Sequence, residues 1–252
     1  MNGVAAVVYR DYCQRLTNIA FVFWDLLAPM AYLLLFGLGF DRTIRAVSLD
    51  GFEVGYAEFF LAGVLAMTTY GIAMNASWTV FMDKDSGIFY ELLTYPITRS
   101  QLLVGKICFN VLLSAAGCLL TILLGVAMLP ISIRWLWLPC TLVMVMLTTA
   151  GWFFLFSVWA IRLSRMDTFN TLTSAAYLVL MFLSSMFYPV DQLPVWFRAL
   201  VWVNPMTWQV DVLRFSLLGI GSPFTVLLEC AGFMGFTILC LALAVRTINR
   251  AG

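Results

Sequence analysis

The sequence contains no histidine, and only 11% of its 252 residues are charged. Without an imidazole, the chain cannot form the serine and cysteine triads that depend on one, and most zinc sites are excluded. A typical soluble domain has about 25% charged residues, so this composition is unusual for a soluble protein. The net charge of +1 offers no basic surface to nucleic acid, and we predict no nucleic-acid partner.

The six cysteines form no CxxC pair, and most of them fall inside apolar runs. In such surroundings a cysteine behaves as a small hydrophobic residue. We therefore predict buried packing thiols; a metal site or a disulfide framework is the alternative. The cysteines are Cys13, Cys108, Cys118, Cys140, Cys230 and Cys240.

Hydrophobic residues make up 63% of the chain, whereas a soluble domain has about 45–50%. This excess is too large for one soluble core, so lipid must cover much of the surface. A helix needs about 20 mostly apolar residues to cross the bilayer core, where it satisfies its own backbone hydrogen bonds. We predict an all-α integral membrane protein, a single transmembrane domain over 1–252. Six stretches are long enough to span: 19–40, 59–82, 107–129, 135–161, 169–188 and 223–245.

The distribution of Lys and Arg indicates how these spans are oriented. If the N-terminus is cytoplasmic, the inner segments hold nine of the 14 Lys and Arg residues and the outer segments hold five. Cytoplasmic loops are enriched in these residues, so we predict that both termini lie in the cytoplasm. No cleavable signal peptide is evident before the first apolar run.

The segment before the first span, residues 1–18, has an amphipathic pattern. Val4, Val8, Tyr12 and Leu16 recur at four-residue spacing, and Arg10 lies on another face. This pattern predicts a helix that lies in the cytoplasmic headgroup layer. A solvated lead-in to the first span is the alternative.

A second segment that does not cross the membrane, residues 189–214, lies between the fifth and sixth spans. Its apolar piece, 195–203, is nine residues long and reaches only about 13 Å as a helix, too short to cross. Pro194 and Pro205 flank this piece, and proline favours helix starts and stops. We predict a re-entrant helical hairpin at the outer interface, where tryptophan side chains prefer the headgroup level.

The loop after the second span is predicted to contain a short helix over 87–94, capped by Ser86. Aromatic and aliphatic side chains on a cytoplasmic loop are costly to expose, so this helix should dock. A soluble partner subunit and the helical bundle itself are both possible sites. The docking residues are Phe89, Tyr90, Glu91, Leu92 and Leu93.

Gly105-Lys106 resembles the end of a phosphate-binding loop but does not form one. Ser100 stands where that motif requires a glycine, and Ile107 follows the lysine where it requires Ser or Thr.

Two predicted spans carry stripes of weakly polar side chains, which normally avoid lipid. Such stripes can line a path through the membrane, or they can hold helices together. The second span has Thr68, Gly71, Asn75 and Thr79 on one face, and the fifth has Asn170, Ser174, Tyr177, Met181 and Ser184.

Two acids also lie within spans, and neither should face lipid without a partner or water. For Asp25 we favour pairing with a cation or a helix end over a role in transport. For Glu229, pairing and a role in a gate or path stay open.

Two motifs carry a resemblance to a known family. They are E-L-L-T-Y-P-I-T-R…G-K, from Glu91 to Lys106, and F-Y-P-V-D-Q-L-P…V-N-P-M-T-W…D-V-L-R, from Phe187 to Arg214. With these motifs the chain resembles ABC-2-type transporter permeases, and most closely the branch that exports drugs and lipo-oligosaccharides. The resemblance extends over essentially the whole chain.

The resemblance implies a dimer of permeases, which we expect to be a homodimer, on two copies of an ABC ATP-binding subunit. That subunit would bind ATP and Mg, so no cofactor or metal is expected in this chain. The loop helix with Glu91 would couple the two subunits, and the N-terminal helix would connect them. Residues 189–214 would form an outer gate, with candidates Pro189, Pro194, Asn204, Pro205, Arg214 and Glu229.

These expectations favour the permease subunit of an exporter that moves an amphiphilic drug, lipid or lipid-linked glycan across the plasma membrane (the bacterial inner membrane). It would work by alternating access and would perform no covalent chemistry. A carrier or channel driven by an ion gradient, without an ATPase, is the alternative. A membrane-embedded enzyme is less favoured, because histidine and clustered acids are absent from the sequence.

Overall fold

The computed structural model describes residues 3–17, 19–41, 47–49, 52–92, 94–95, 97–190 and 193–250. Helices dominate these ranges, and a short 3-10 turn, Trp135–Trp137, leads into the sixth of them. The helices are α1 Gly3–Thr17, α2 Ile19–Asp41, α3 Tyr56–Asp85, α4 Ile88–Leu92, α5 Arg99–Met128, α6 Leu138–Arg162, α7 Met166–Phe182, α8 Val195–Val203, α9 Pro205–Leu218 and α10 Pro223–Arg250.

The predicted all-helical membrane architecture is confirmed, with one correction. Strands β1, Val47–Leu49, and β2, Phe52–Val54, pair antiparallel between α2 and α3, with Val47 opposite Val54. This small hairpin was not predicted, and the fold remains dominated by helices. Asp50-Gly51 separates the strands in the sequence, and this dipeptide is typical of tight hairpins, so the pattern could have been recognised.

Five helices in the described part of the chain are long and apolar enough to cross a membrane. Two of them, α3 and α5, begin 3 and 8 residues before the predicted spans 59–82 and 107–129, because polar residues in their first turns are typical of loops. The membrane-crossing candidates are Phe23–Phe40, Tyr56–Asp85, Arg99–Met128, Trp135–Arg162 and Pro223–Arg250.

The predicted fifth span, 169–188, corresponds to the shorter helix α7. Its 17 residues reach about 26 Å, less than the bilayer core of about 30 Å. The helix ends at Phe182, where the Asn204 side-chain amide donates to the carbonyls of Leu180 and Leu183, at 2.7 Å each. The count of six spans therefore stays a prediction.

Helix α3 lies at the centre of the bundle, where α2, α5, α6 and α9 pack around it. Most of its residues are buried. Polar side chains on α3 bond to backbone carbonyls of its neighbours. Tyr70 donates to the Thr173 carbonyl of α7 at 3.1 Å, and Ser77 donates to the Phe153 carbonyl of α6 at 3.1 Å.

Helix α1 packs against α5 through a face that does not include the apolar stripe of Val8 and Tyr12. Val7 and Asp11 are buried, whereas Tyr12 is exposed. A Cβ atom on Gly105 would lie 2.7 Å from the Val7 Cβ, so a glycine is needed for this close approach. The stripe with Val8 and Tyr12 faces outward, along a groove beside Phe109, which is compatible with a helix at the membrane surface.

Two short helices, α8 and α9, occupy much of the predicted re-entrant segment. Pro194 precedes the first residue of α8, and Pro205 is the first residue of α9. Asn204 caps α9, since its side chain accepts from the Met206 amide at 2.9 Å. The predicted proline boundaries therefore coincide with helix starts, while α9 continues beyond 214 to Leu218. The re-entry of these helices into the bilayer stays a prediction.

Candidate functional site

Two polar cavities lie at opposite ends of α3. The inner cavity, of about 440 Å³, is near Asp83, and the outer cavity, of about 220 Å³, is near Arg214, which stacks on Phe59. The names follow the predicted orientation. The inner cavity is lined by α3 residues from Asn75 to Asp83, which lie 16 to 24 residues, or about 24–36 Å, along the helix from Phe59. The two cavities therefore lie toward opposite ends of α3.

A third cavity, of about 260 Å³, lies between α2, α3 and α7 and brings together two of the predicted path residues. Asn75 and Tyr177 both line it, beside Gly71 and Tyr70. The Tyr70 and Tyr177 rings have centroids 4.8 Å apart. Asn75 and Asn170 also line the inner cavity. Three of the six path candidates therefore face cavities.

The other three path candidates are buried among packed helices. Thr68 donates to the Val64 carbonyl of its own helix at 3.0 Å. Ser184 lies beyond the end of α7, and its hydroxyl donates to the carbonyl of Met181 at 2.7 Å. Met181 itself belongs to the hydrophobic core. These contacts are those of packing residues.

The inner cavity adjoins a buried network of charges between α1, α3 and α5. Lys106, which is fully buried, places its Nζ atom 2.6 Å from Asp83 and 3.7 Å from Asp11. Arg10 reaches the other side of Asp83 at 2.5 Å. Burial raises the pKa of the Asp11 carboxyl above its usual value, although Lys106 and Arg10 oppose this shift. The network fixes the interface helix to two long spans.

Asp25 has partners within the protein, which agrees with the pairing that the sequence favoured. Its carboxylate lies 3.2 Å from Arg15 of α1, and it also accepts from the Asn75 side-chain amide. An acid inside α2 is thus neutralised by a cation on the interface helix. The same Asn75 faces two cavities, so this pair lies beside the candidate path.

The loop helix α4 is shorter than predicted, and its residues divide between the two docking alternatives. Phe89 is only 3% exposed and belongs to the hydrophobic core, whereas Tyr90 is 51% exposed and Glu91 is exposed. Leu92 is half-buried, and Leu93 lies outside the described residues. Ser86 does not start α4; its hydroxyl donates back to the Met82 carbonyl at the end of α3, at 2.7 Å.

The outer cavity contains a buried arginine between two acids. Arg214 is 3% exposed and donates to Asp211 at 2.7 Å and to the Ser185 carbonyl at 2.9 Å. Its guanidinium lies 4.2 Å from the centre of the Phe59 ring. Glu229 lines the same cavity, and among the described residues its buried Oε2 atom has no hydrogen-bond partner. Two acids therefore share one cation here.

Of the predicted outer-gate residues, Pro189, Arg214 and Glu229 line the outer cavity together. Pro194, Asn204 and Pro205 instead mark the starts of α8 and α9. Sequence reasoning missed Asp211 and Ser185, whose hydroxyl donates to Asp211 at 2.7 Å. The i,i+3 spacing of Asp211 and Arg214 could have indicated the pair.

The described residues hold no group of three or more His, Cys, Asp or Glu side chains that could bind a metal ion. All six cysteines fall in the described ranges, and each of them is free. Cys118 and Cys240 are buried, whereas Cys13 and Cys140 are exposed, so the prediction of buried packing thiols holds for only part of the set.

Several known proteins are similar to this chain. A protein named as a transport permease, ycf38, from Cyanophora paradoxa is 26% identical over 201 residues, which are 75% of this chain and 65% of that protein. Nodulation protein J from Rhizobium leguminosarum bv. viciae is 28% identical over 218 residues, 85% of this chain and 82% of that protein. A protein named as the multidrug ABC transporter permease YbhR from Escherichia coli K12 is 24% identical over 168 residues, 64% of this chain and 44% of that protein.

A family model extends over most of the chain. The model for the ABC-2 type transporter matches residues 2–218, which include the loop helix α4 and both predicted motifs. The chain spans about two thirds of the length of the ycf38 relative and less than half of YbhR. Permeases of this family are not themselves catalytic and work with an ABC ATP-binding subunit. The chain belongs to the ABC-2 type transporter family, as a multi-pass membrane permease.

Proposed function

We propose that this protein is the permease subunit of an ATP-driven exporter in the plasma membrane, with both termini in the cytoplasm. Two permeases, as a homodimer, would act with two ATP-binding subunits that bind ATP and Mg. The substrate would be amphiphilic, and transport would proceed by alternating access. The family match and the apolar helices support this proposal.

The observation that carries the proposal is the division of α4 into an anchored side and an exposed side. Phe89 is held in the core, so α4 is fixed to the end of α3. Tyr90 and Glu91 are exposed beside it. An exposed aromatic residue next to an acid, on a firmly anchored helix, suits a protein interface, where tyrosine is enriched.

Movement of α4 would be transmitted directly to two long helices, α3 and α6. Lys84, in the last turn of α3, donates to the carbonyls of Ile161 and Leu163 at the end of α6, at 2.6 and 2.8 Å. The ends of α3 and α6 are therefore tied together just before α4 begins. Movement of a docked ATPase would thus be transmitted to α3 and α6 as a unit.

The two polar cavities suit alternating access. The inner cavity is lined by α3 from Asn75 to Asp83, and the outer cavity lies beside Phe59 near the start of α3. The cavity with Tyr177 lies along the same helix between them. In this proposal the substrate passes beside Asn75, Asn170 and Tyr177. The outer cluster around Arg214 of α9 and Glu229 of α10 would act as the gate.

The test uses the permease reconstituted in proteoliposomes with its ATP-binding subunit. The double substitution Tyr90→Ala and Glu91→Ala removes exposed side chains, so it should leave the thermal melt of the permease unchanged. Loss of a desolvated interface charge costs about 2–5 kcal/mol, so assembly with the ATPase and coupled ATP hydrolysis should fall at least tenfold. Glu53→Ala, an exposed acid in the hairpin between α2 and α3, is the matched control.

Full transport by the double variant would remove α4 from the coupling mechanism. Transport by the permease alone, driven by an ion gradient, would instead support the carrier. Phe89→Ala is not suitable for this test, because the cavity it leaves would destabilise the bundle by about 3–5 kcal/mol.

A further inference from the structure

Two sulfur atoms meet where helices α6 and α10 pack together. The Cys230 thiol of α10 donates to the Met144 sulfur of α6, and the two atoms are 3.8 Å apart. Both side chains are half-buried. Neither residue belongs to the loop helix α4, to the candidate path or to the outer cluster around Arg214, so the proposed transport mechanism gives this contact no role.

The two helices run side by side and in the same direction around this contact. A Cβ atom on Gly151 of α6 would lie 2.7 Å from the Thr237 hydroxyl of α10, so the helices also approach closely there. Gly151 follows Met144 by seven residues, and Thr237 follows Cys230 by seven. Seven residues make about two helical turns, so the same pair of faces meets at both points.

A third sulfur atom lies one turn nearer the outer end of α6. Cys140 precedes Met144 by four residues, so both side chains project from the face of α6 that meets α10. The Cys140 side chain is exposed, and its thiol interacts electrostatically with that of Cys230. Two thiols and one thioether are therefore grouped between these helices, and Cys140 is the member that is open to the surroundings.

The spacing of the sulfur atoms suits a metal ion. A metal–thiolate bond is about 2.3 Å long, so two sulfur ligands of one ion lie about 3.8–4.6 Å apart, from a tetrahedral to a linear arrangement. The separation of 3.8 Å between Cys230 and Met144 is at the short end of this range. An ion therefore fits between them with little movement of the side chains.

The ligand types and the charge favour Cu(I). Thiolate and thioether sulfur are ligands that select this ion, whereas Zn²⁺ takes four ligands from Cys, His, Asp and Glu. The described residues hold no group of three of the latter types. Cys230 is the eighth residue of α10, inside a candidate span, where an uncompensated charge is costly. Cu(I) replaces the proton of the Cys230 thiol, and this proton passes to water, so the thiolate and the ion together are neutral.

We propose that Cys230, Met144 and Cys140 form a binding site for Cu(I) between the outer parts of α6 and α10. Cys230 supplies the thiolate, Met144 supplies the thioether, and Cys140 supplies the third sulfur, past which the ion enters. The site goes beyond the family resemblance, which implies no metal in this chain. Because it requires neither the ATPase nor a substrate, it is also independent of the proposed exporter.

The test measures the Ag(I) that the purified permease retains in lipid nanodiscs, without ATPase or substrate. Ag(I) has the charge of Cu(I) and its preference for sulfur, and air does not oxidise it. The ion is supplied with an excess of glutathione, which removes Ag(I) from single thiols. We expect one Ag(I) per chain after desalting, counted by elemental mass spectrometry. The melting temperature should rise with it, because a ligand that binds the folded state stabilises that state.

The deciding variant is Met144→Leu, which removes the thioether and nearly preserves the volume of the side chain, so the fold should persist. The affinity for Ag(I) should fall at least about tenfold, because even a lost contact to a metal ligand has an effect of that size. Met146→Leu is the matched control, since Met146 is also half-buried in α6 but projects from a different face. Cys230→Ser should abolish retention, and Cys108→Ser, at a half-buried thiol of α5, should not change it.

Equal affinity for Ag(I) in Met144→Leu and Met146→Leu would overturn the proposal, because single thiols would then account for the binding. Full retention in Cys230→Ser would overturn it as well. A disulfide between Cys140 and Cys230 in the isolated protein, with no Ag(I) retained after its reduction, would replace the metal site with a redox pair. Since the assay contains no ATPase, none of these outcomes bears on the proposed exporter.

Discussion

The two charged regions at the ends of α3 differ in their balance. At the inner end, Lys106 and Arg10 face Asp83 and Asp11, and the cations are all paired. At the outer end, Arg214 is shared by Asp211 and Glu229, so two acids face one cation among the described residues. Each end also has one buried carboxylate oxygen without a hydrogen-bond partner there, on Asp11 and on Glu229. A balanced buried network holds helices in one arrangement, whereas an excess acid favours any arrangement that brings water or a cation.

This difference suggests that the inner end is the fixed junction and the outer end is the part that changes. Asp83 and Lys106 bind α1 to α3 and α5, so those three helices should move together. Arg214 holds α9 near the loop after α7 through the Ser185 carbonyl. The Ser185–Asp211 hydrogen bond and the Asn204 amide also hold α9 to the end of α7, so α9 can separate from α7 only if all three contacts are released, and their release would leave the inner network intact.

The largest effect is expected at the inner end. Lys106→Met leaves Asp11 without its nearest cation and Asp83 with only one, and breaking a buried ion pair costs about 3–5 kcal/mol. The free energy of unfolding in detergent should fall by that amount, as measured by a thermal or denaturant melt. Lys106→Met together with Asp11→Asn restores the balance and should recover part of the loss. A double variant as unstable as the single one would show that charge balance does not govern this junction.

An intermediate effect is expected for Arg214→Lys at the outer end. Lysine keeps the charge but loses the planar stacking on Phe59 and one of two hydrogen bonds, to Asp211 or to the Ser185 carbonyl. Each of these contacts contributes about 1 kcal/mol, so the free energy of unfolding should fall by about 1–2 kcal/mol. Arg198→Lys, in α8, is the matched control. If Arg198→Lys lowered the free energy of unfolding as much as Arg214→Lys does, Arg214 would have no special role.

The smallest effect, and one of opposite sign, is expected for Glu229→Gln. The substitution removes the excess acid while it preserves the shape of the side chain, so the melt should be unchanged or shifted upward by about 1 kcal/mol. Glu58→Gln is the control, because Glu58 lies in the first turn of α3, where its negative charge interacts favourably with the helix dipole, and loss of that charge should destabilise. A clear destabilisation by Glu229→Gln would mean that the outer cluster is as balanced as the inner one.

The sequence predicts the helices of this protein well, because the length and apolarity of a segment largely determine whether it forms a helix in a bilayer. It predicts side-chain contacts less well. The pattern of α1 marks Val8 and Tyr12 as apolar, but the structure buries Asp11 and exposes Tyr12. In a membrane an apolar face can meet lipid, so apolar periodicity does not show which face meets protein.

The polar contacts of the site could not be predicted from the sequence, for a related reason. Lys106 was assigned to the cytoplasmic loop, because a lysine next to an apolar run usually marks its end. The structure places it inside α5, fully buried, where Asp83 and Asp11 from two other helices offset its charge. Partners that are distant in sequence cannot be identified from spacing. Asp211 and Ser185, 26 residues apart, were missed for the same reason.

The hydrogen bonds from Asn204 to the end of α7 affect the order in which this part of the bundle forms. The Asn204 side-chain amide donates to two carbonyls at the end of α7. Those carbonyls belong to Leu180 and Leu183, which precede Asn204 by 24 and 21 residues. At about 5–20 residues per second, the ribosome completes α7 roughly one to five seconds before Asn204 exists. Until then the two carbonyls lack the hydrogen-bond donor that they have in the folded protein. The end of α7 is therefore completed only by a segment that is synthesised after it.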